Sequence, residues 1–352
     1  MMKEEVVNRR KWLTESEFLD YLGVTHLIPG PNSTELAIHV GYSRRGWGGL
    51  LVAGISFILP AMTIVWVIAW AYVQYGSLPQ ISGILYGVKP VVIAVVFQAI
   101  WGLARTAIKS IFLAALGSVA LALSVTGLNE VAIIFAAGFA AALLTKMRTK
   151  RRGGTSHSTL MILLPASVTQ VSAASGIVGS MPVVLSQLFM VFLKIGSVLF
   201  GSGYVLLAFL QADFVERLHW ISQAQLLDAV AVGQFTPGPV FTTATFIGYI
   251  IAGNPGALLA TLGIFLPAFF FVAISAPLIP KLRRSAIAGA FLDGVNVASL
   301  ALMIFVIWEL GRSTLVDVTT GVIAVITAFL LMRYRINSAW LVLFGGIIGI
   351  LR

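Results

Sequence analysis

Residues 26 to 42 read HLIPGPNSTELAIHVGY, and residues 234 to 249 read QFTPGPVFTTATFIGY. Each stretch sets Pro-Gly-Pro inside an apolar run, and the agreement extends well beyond the turn. Trp12, Asp20 and Pro29-Gly30-Pro31 recur 208 residues later as Trp220, Asp228 and Pro237-Gly238-Pro239. After a one-residue slip, Gly41-Tyr42 matches Gly248-Tyr249, Leu59-Pro60-Ala61 matches Leu266-Pro267-Ala268, and Gly87-Val88 matches Gly294-Val295, all 207 apart. Apolar helices resemble one another by chance, but chance does not keep Pro and Gly in order over such a distance. The chain therefore reads as an internal repeat.

Composition says where the repeat lives. Of 352 residues, 59% are hydrophobic and 10% charged, with mean hydropathy +0.97. A typical soluble domain has about 45–50% and about 25%, so an ordinary soluble protein is excluded. The 23 Lys and Arg outnumber 13 Asp and Glu, for a net charge of +10. They fall in short clusters between apolar runs, which makes them topology signals and excludes a nucleic-acid-binding face. There is no cysteine, and His26, His39, His157 and His219 are scattered, so no disulfide framework, thiolate site or metal centre is expected. No Walker loop, dinucleotide fingerprint or Ser-His-Asp ordering appears, which points away from an enzyme and from any cofactor. The charged, amphipathic start, residues 1 to 18, has no apolar core of the secretory kind and reads as part of the protein.

About 20 apolar residues cross a bilayer as helix. Five stretches reach that length: 48 to 76, 83 to 104, 184 to 210, 255 to 278 and 287 to 310. Four shorter ones, 107 to 126, 128 to 146, 314 to 332 and 337 to 351, bring the expected spans to about nine. Matching loops of the two halves carry opposite charge. Arg44-Arg45, Arg105 with Lys109, and Lys146 to Arg152 face uncharged Ala252 to Pro255, the lone Arg312 and the C-terminus. Conversely, Lys281, Arg283 and Arg284, then Arg333 and Arg335, face uncharged Gly76 to Gly83 and Gly127-Leu128. Because cytoplasmic loops are rich in Lys and Arg, the halves are expected upside down relative to each other. With the amino end and every basic loop inside, 18 of the 23 basic residues are cytoplasmic; Arg217, Arg312 and Arg352 lie outside, and Lys89 and Lys194 within spans.

The expected fold is thus an all-α polytopic membrane protein of two inverted repeats, 1–146 and 181–352, joined by a basic linker at 147–180. This topology requires 15–43 and 223–251, each broken by Pro-Gly-Pro, to be re-entrant helical hairpins. It also requires the weak segment 158–178, with Pro165, not to cross fully. The second half opens with FLKIGSVLFGSGYVLLAFLQADFV (192 to 215), whose first-half counterpart would precede residue 1.

Helices broken in lipid are costly unless the freed backbone groups are buried or line a cavity, so the two turns are binding-site candidates. Pro31 and Pro239 stand near the first position of a new helix, whose free amides and dipole attract an anion. Inversion brings both ends toward the midplane, where Asn32, Ser33, Thr34, Thr242 and Thr243 are placed to donate to a multi-oxygen anion; the bland alternative is that these hydroxyls cap their own backbone. Lys194, deep in its span beside Gly196, Gly201, Ser202 and Gly203, is a cationic partner for the anion or for a carboxylate. Lys89 sits at the repeat position of Asn296 and either functions or snorkels. Glu35 is a candidate for a coupling proton, or pairs with Lys194 or an Arg. Asp293 and Glu309 are further acidic candidates. Asp20 and Asp228 read as structural caps, and Trp66, Trp70, Tyr72 and Tyr75 as an interfacial belt.

Three runs carry a family resemblance: RRKWLTESEFLDYLGVTHLIPGPNSTELAIHVGYSRRGWGG (9 to 49), FLKIGSVLFGSGYVLLAFLQADFVERLHWIS (192 to 222) and LLDAVAVGQFTPGPVFTTATFIGYIIAG (226 to 253). They resemble the signature regions of the chromate ion transporter family, long two-domain type, over nearly the whole chain except about 147 to 180. The resemblance implies an inner-membrane protein of a bacterium or archaeon that exports chromate and gives chromate resistance, with sulfate as the similar anion. It maps the family's Pro-Gly-Pro segments to Pro29, Gly30, Pro31, Asn32 and Ser33 and to Pro237, Gly238 and Pro239, and its Phe-Gly-Gly-rich opening helix to Lys194, Phe200, Gly201 and Gly203. The chain departs from the family in lacking the first copy of that helix. The expected partners are a chromate-like or sulfate-like oxyanion, the lipid bilayer and, as assembly, a homodimer. Energy is expected from a proton gradient or the membrane potential. The alternative function is transport of another anion, or a non-transporting subunit whose first repeat a partner completes.

Overall fold

The structure is a computed structural model and describes residues 2–76, 78–151, 181–200, 203–276, 286–334 and 336–351. The linker segment 158–178, Gly201 and the basic cluster Lys281, Arg283 and Arg284 lie outside the described residues. Those described form helices and no strand: α1 (Glu15–Thr25), α2 (Asn32–Tyr75), α3 (Pro79–Ala107), α4 (Ile111–Val125), α5 (Glu130–Arg151), α6 (Met181–Val198), α7 (Leu206–Leu210), α8 (Gln223–Phe235), α9 (Thr243–Ser275), α10 (Ala286–Thr314), α11 (Val318–Tyr334) and α12 (Ser338–Ile350).

Among the described residues, five helical stretches are long and apolar enough to cross a membrane: Asn32–Tyr75, Gly83–Ala107, Glu130–Met147, Val240–Ser275 and Ile287–Thr314. Four shorter apolar helices accompany them. One expected span needs correction. The run 184 to 210 is not continuous: α6 stops at Val198, and helix resumes in a 3-10 turn at Gly203–Val205 and the short α7. Gly196, Gly201 and Gly203 crowd this stretch, and glycine lowers helix stability by about 1 kcal/mol per residue relative to Ala.

Local chemistry repeats along with the sequence. The Thr14 hydroxyl caps α1 by accepting from the Glu17 amide while the Glu17 carboxylate accepts from the Thr14 amide; Ser222 and Gln225 do the same for α8. Each capping box satisfies two amides that a helix start would leave bare. Each is preceded by a π-helical turn, Glu4–Arg9 in the first half and Gln211–Arg217 in the second.

The same break also occurs twice within long helices. In α2 the chain leaves helical geometry at Arg45 (φ −145, ψ 23) and Gly46 (φ 56, ψ −137), and in α9 at Ala252 (φ −143, ψ 25) and Gly253 (φ 60, ψ −146). The positive φ is glycine's region, which explains Gly at both positions. The consequence is a fold-back. A straight helix would hold residues eight apart at about 12 Å, yet the Gly41 and Gly49 backbones touch, as do those of Gly248 and Gly256. A Cβ on Gly41 would come within 2.5 Å of the Ala53 Cβ, and one on Gly248 within 2.6 Å of the Ala260 Cβ. Each long helix is therefore a short arm folded against a long one.

The packing crosses between halves. α2 lies on α9; α3 packs against α10, α11 and α12; α10 packs against α4 and α5. Gly87 on α3 meets the backbone of Gly345 on α12, and Gly294 on α10 meets that of Ala137 on α5. Small residues at those crossings let backbones approach closely, the usual means of helix association in lipid. The largest buried core runs through Val92, Val95, Val295 and Ala298 of α3 and α10.

Candidate functional site

Both Pro-Gly-Pro turns are seated against the opposite half. Gly30 (φ +135) donates its amide to the Leu199 carbonyl just past α6, at 2.8 Å, and its Cα faces the Ala268 methyl; a Cβ there would lie 3.7 Å from it. Gly238 (φ +146) presses on the Ala61 methyl. Ala61 and Ala268 belong to the matching Leu-Pro-Ala runs of α2 and α9, so each turn meets the other half's copy of one motif. No L side chain takes these φ values cheaply, and at Gly238 a Cβ would overlap Ala61 outright.

After each turn a new helical segment begins, α2 at Asn32 and a 3-10 turn at Val240–Thr242 that leads into α9. In the first, Thr34 and Glu35 amides bond the Pro31 carbonyl at 2.8 and 3.0 Å, leaving the Asn32 and Ser33 amides at the open end. Ser33 is exposed, whereas Thr34 is buried with its hydroxyl unpartnered. Asn32 bonds the His26 ring through its amide nitrogen at 2.9 Å, and its buried carbonyl oxygen has no partner. Glu35 is fully buried, neither carboxyl oxygen is hydrogen-bonded, and one of them lies against Gly30. Orphaned polar atoms thus crowd the first turn, and buried polar groups in folded proteins rarely go unsatisfied.

The second turn differs. Pro237 and Gly238 are exposed. The Thr242 hydroxyl donates to the Pro239 carbonyl at 2.9 Å and the Thr243 hydroxyl to the Val240 carbonyl at 2.7 Å. Both hydroxyls therefore cap their own backbone, and only their lone pairs remain.

The charged candidates sort into pairs. Lys194 bonds Asp213 at 2.7 Å, and Arg217 reaches the same carboxylate at 2.8 Å. Of the two roles open to Lys194, the structure gives the carboxylate. The expected pairing of Glu35 with Lys194 is not found, because Asp213 takes the lysine. Lys89 lies 3.4 Å from Asp228, to which Tyr72 also donates at 2.9 Å. Asp228 is therefore no cap; the capping is done by Ser222, and Asp228 sits in mid-helix, buried against a cation. Tyr72 likewise leaves the expected belt, while Trp70 and Tyr75 stay exposed and meet edge to face. Trp66 donates to the Asn254 side chain across the halves at 3.0 Å. Asn296 is half-buried, Asp293 bonds Lys109 at 2.6 Å, and Gly203 lies under Phe241.

The family model described as chromate transporter matches residues 1–142 and 186–350, both copies of the turn included. The chain belongs to the chromate transporter family. It is 32% identical over 348 residues to the chromate transport protein of Cupriavidus metallidurans, covering 98% of this chain and 85% of that one. It is 30% identical to a probable chromate transport protein of Synechococcus elongatus, over 99% and 89%. An uncharacterized transporter of Methanocaldococcus jannaschii is 27% identical over 99% and 88%. No solved structure matches the chain. As a member of the chromate transporter family with several apolar helices, the chain is a multi-pass membrane protein and an ion transporter.

Sequence reasoning missed Asp213 as the partner of Lys194, and it missed the role of Tyr72, which donates to Asp228, the carboxylate that faces Lys89. Asp213 lies 19 residues from Lys194, beyond the break after α6, and Tyr72 is 156 residues from Asp228. The signal that could have found Asp213 is its i, i+4 spacing to Arg217.

Proposed function

We propose that the chain is a secondary transporter of chromate, moving this tetrahedral dianion outward across the inner membrane. The observation that carries the reading is the reciprocal seating of the two Pro-Gly-Pro turns on the two Leu-Pro-Ala runs. It is the arrangement expected of two inverted copies, residues 1–146 and 181–352, that present their broken helices to one solute. Nine spans, two re-entrant hairpins and a cytoplasmic amino end complete the proposed topology, supported by the Lys and Arg bias.

In this reading the anion meets the open amides of Asn32 and Ser33 and the Ser33 hydroxyl at the first turn, with Pro29, Gly30 and Pro31 setting the backbone approach. The exposed Pro237-Gly238 turn, with Pro239 behind it, closes the other side. Helix-start amides suit the ligand, since they supply donors and positive dipole to an acceptor-only solute. The buried Thr34 brings an unpartnered hydroxyl to the first turn, and Thr242 and Thr243 stiffen the second. Lys194, Gly203 and the neighbouring Gly201 shape the wall, where Leu199 anchors Gly30. Glu35, against Gly30, is the candidate coupling group, with Lys89 and its counterpart Asn296 as the charge asymmetry between halves. A negative-inside potential is worth about 2.3 kcal/mol per charge per 100 mV, hence about 4.6 kcal/mol for a dianion, so the potential alone favours efflux.

The test is radiolabelled chromate and sulfate flux in proteoliposomes under an imposed voltage or pH gradient. Chromate flux above protein-free vesicles, with sulfate slower, is expected. Absence of any flux overturns transport; faster sulfate flux changes the substrate.

A further inference from the structure

The short arm of α2 that follows the first turn buries two ionisable side chains. Glu35 is fully buried, and His39, one helical turn on, is 1% exposed. Residues four apart share a helix face with their Cβ atoms about 6 Å apart, so the two side chains belong to one strip. Five buried polar atoms without a partner fall on this arm: the Asn32 carbonyl oxygen, the Thr34 hydroxyl, both Glu35 carboxyl oxygens and Nδ1 of His39. A folded protein carries only a few such atoms per hundred residues, so their concentration here needs a reason. Among the described residues, no cation pairs with Glu35 and no carboxylate pairs with His39.

The strip runs along α9 toward one end of that helix. Its near end is the first turn, where one Glu35 oxygen lies against Gly30, and Gly30 faces Ala268 of α9. Its far end is His39, whose Nε2 stands 3.5 Å from the hydroxyl of Ser275, the last residue of α9. Tyr21 of α1 stacks on the imidazole, with ring centres 5.6 Å apart and planes 12° apart. The groups around His39 are thus Tyr21 from α1, Ser275 from α9 and Glu35 from its own helix. Beyond Ser275 the sequence runs to Lys281, Arg283 and Arg284, the cluster that the proposed topology places in the cytoplasm.

The second half shows that the fold does not require these groups. The residues 207 and 208 positions after His39 are Phe246 and Ile247, and those after Glu35 are Thr242 and Thr243. All four are buried, and none titrates in the range of a carboxyl or an imidazole. An acid and an imidazole kept in apolar surroundings, each at a desolvation cost, mark a function and not a packing need.

We propose that His39 carries the proton that Glu35 exchanges, linking the first turn to the end of α9, a role that rests on the reading of Glu35 as the coupling group. By rotation about its side-chain bonds the Glu35 carboxyl moves from Gly30 to Nδ1 of His39, the i, i+4 contact open to it. The acid gives its proton to Nδ1 of the neutral ring, leaving a carboxylate and an imidazolium. The imidazolium then releases the proton on Nε2, past the Ser275 hydroxyl, to water at the end of α9. The neutral ring regains its first tautomer when it turns over or when the sequence runs backwards.

The test uses the full chain in liposomes without chromate. Infrared spectroscopy follows the carbonyl stretch of protonated carboxyls after a jump from H2O to D2O, and Glu35→Gln identifies the band that belongs to Glu35. His39→Phe installs the side chain of the matching Phe246, and His39→Gln keeps a hydrogen-bonding group that carries no proton. Each is expected to slow deuteration of the Glu35 band by about tenfold or more, with the band itself retained. Deuteration as fast in both variants as in the unaltered chain, full speed restored by His39→Gln, or no band that Glu35→Gln removes overturns the proposal. Because chromate is absent, loss of chromate flux with the slowed band kinetics intact counts against transport, whereas ordinary flux with band kinetics indifferent to His39 counts against the relay alone.

Discussion

Gly238→Ala offers the sharpest perturbation of the crossed architecture. Two costs add in the variant. The residue must hold φ +146, a region worth about 1–3 kcal/mol of strain for a side chain other than glycine. Its methyl also falls more than about 1 Å inside ordinary carbon contact with the Ala61 methyl, an overpacking worth about 1–3 kcal/mol. The total is about 2–6 kcal/mol, and its second part depends on a residue 177 positions away in the other half. Ala61→Gly removes the methyl that Gly238→Ala strikes. The double variant should therefore regain about 1–3 kcal/mol relative to the sum of the singles, the size of coupling seen between touching residues. Gly30→Ala should behave differently, because its new methyl meets the Ala268 methyl at an ordinary 3.7 Å and strikes only the carboxyl end of the Glu35 side chain, which belongs to the same half. Ala268→Gly should then give no rescue. Melting temperature of the four purified proteins of each cycle in detergent, followed by tryptophan fluorescence, measures this. Additivity in the Gly238 and Ala61 cycle, or rescue of Gly30→Ala by Ala268→Gly, would refute the reasoning.

Other outcomes follow from the same contacts. Asp213→Asn leaves Lys194 and Arg217 without their shared carboxylate and should cost about 3 kcal/mol, near the low end for a broken buried pair because a fifth of the lysine is exposed; thermal unfolding in detergent checks it. Tyr72→Phe withdraws one hydrogen bond from Asp228 and should cost about 1.5–3 kcal/mol, with Lys89→Met and Tyr72→Phe non-additive in the same assay. Glu35→Gln should flatten the pH dependence of chromate flux while the protein stays folded; an unchanged profile removes Glu35 from coupling. The amino-terminal segment should loosen in acid. Hydrogen bonds from Arg10, from Lys3 and from the Thr14 amide hold Glu5, Glu15 and Glu17 below the ordinary value of 4.5. A depressed carboxylate contributes stability that is complete above its unfolded value and is lost as pH falls through the folded one. Protection factors of the residue 4–17 amides, with the intrinsic pH dependence of exchange divided out, should therefore fall below pH 4.5 and be flat between pH 6 and 8.

Much of the architecture was legible because lipid leaves the sequence few options. Length and hydropathy pick out the apolar helices, and ordered Pro and Gly pick out the matching breaks, since both residues mark backbone conformations that side chains cannot substitute. The Arg45-Gly46 and Ala252-Gly253 breaks sit where Gly41-Tyr42 and Gly248-Tyr249 already aligned the halves. The stop at Val198 was not legible: an apolar run of 27 residues looks continuous by hydropathy, which is blind to the backbone freedom of its glycines. Pairing among charges failed for a different reason. Lys194 had the substrate or a carboxylate, Glu35 among them, as nominal partners, and choosing Asp213 requires knowing that the chain turns back through the Gln211–Arg217 π-helical turn. The roles of Thr242 and Thr243 were undecidable for the same reason, because a hydroxyl after a turn serves its own carbonyl or a ligand according to rotamer, not spacing.

The central claim, an oxyanion held between the two turns, is tested most directly by ligand protection at Ser33. The chain contains no cysteine, so Ser33→Cys gives a single thiol at the open end of α2. Its alkylation rate would be followed with and without molybdate, a tetrahedral dianion that does not oxidise thiols as chromate does. The account predicts saturable slowing of several-fold by molybdate, absent with chloride at equal ionic strength and abolished by Gly238→Ala across the site. An alkylation rate that molybdate leaves unchanged, in protein that still carries chromate across the membrane, would contradict it.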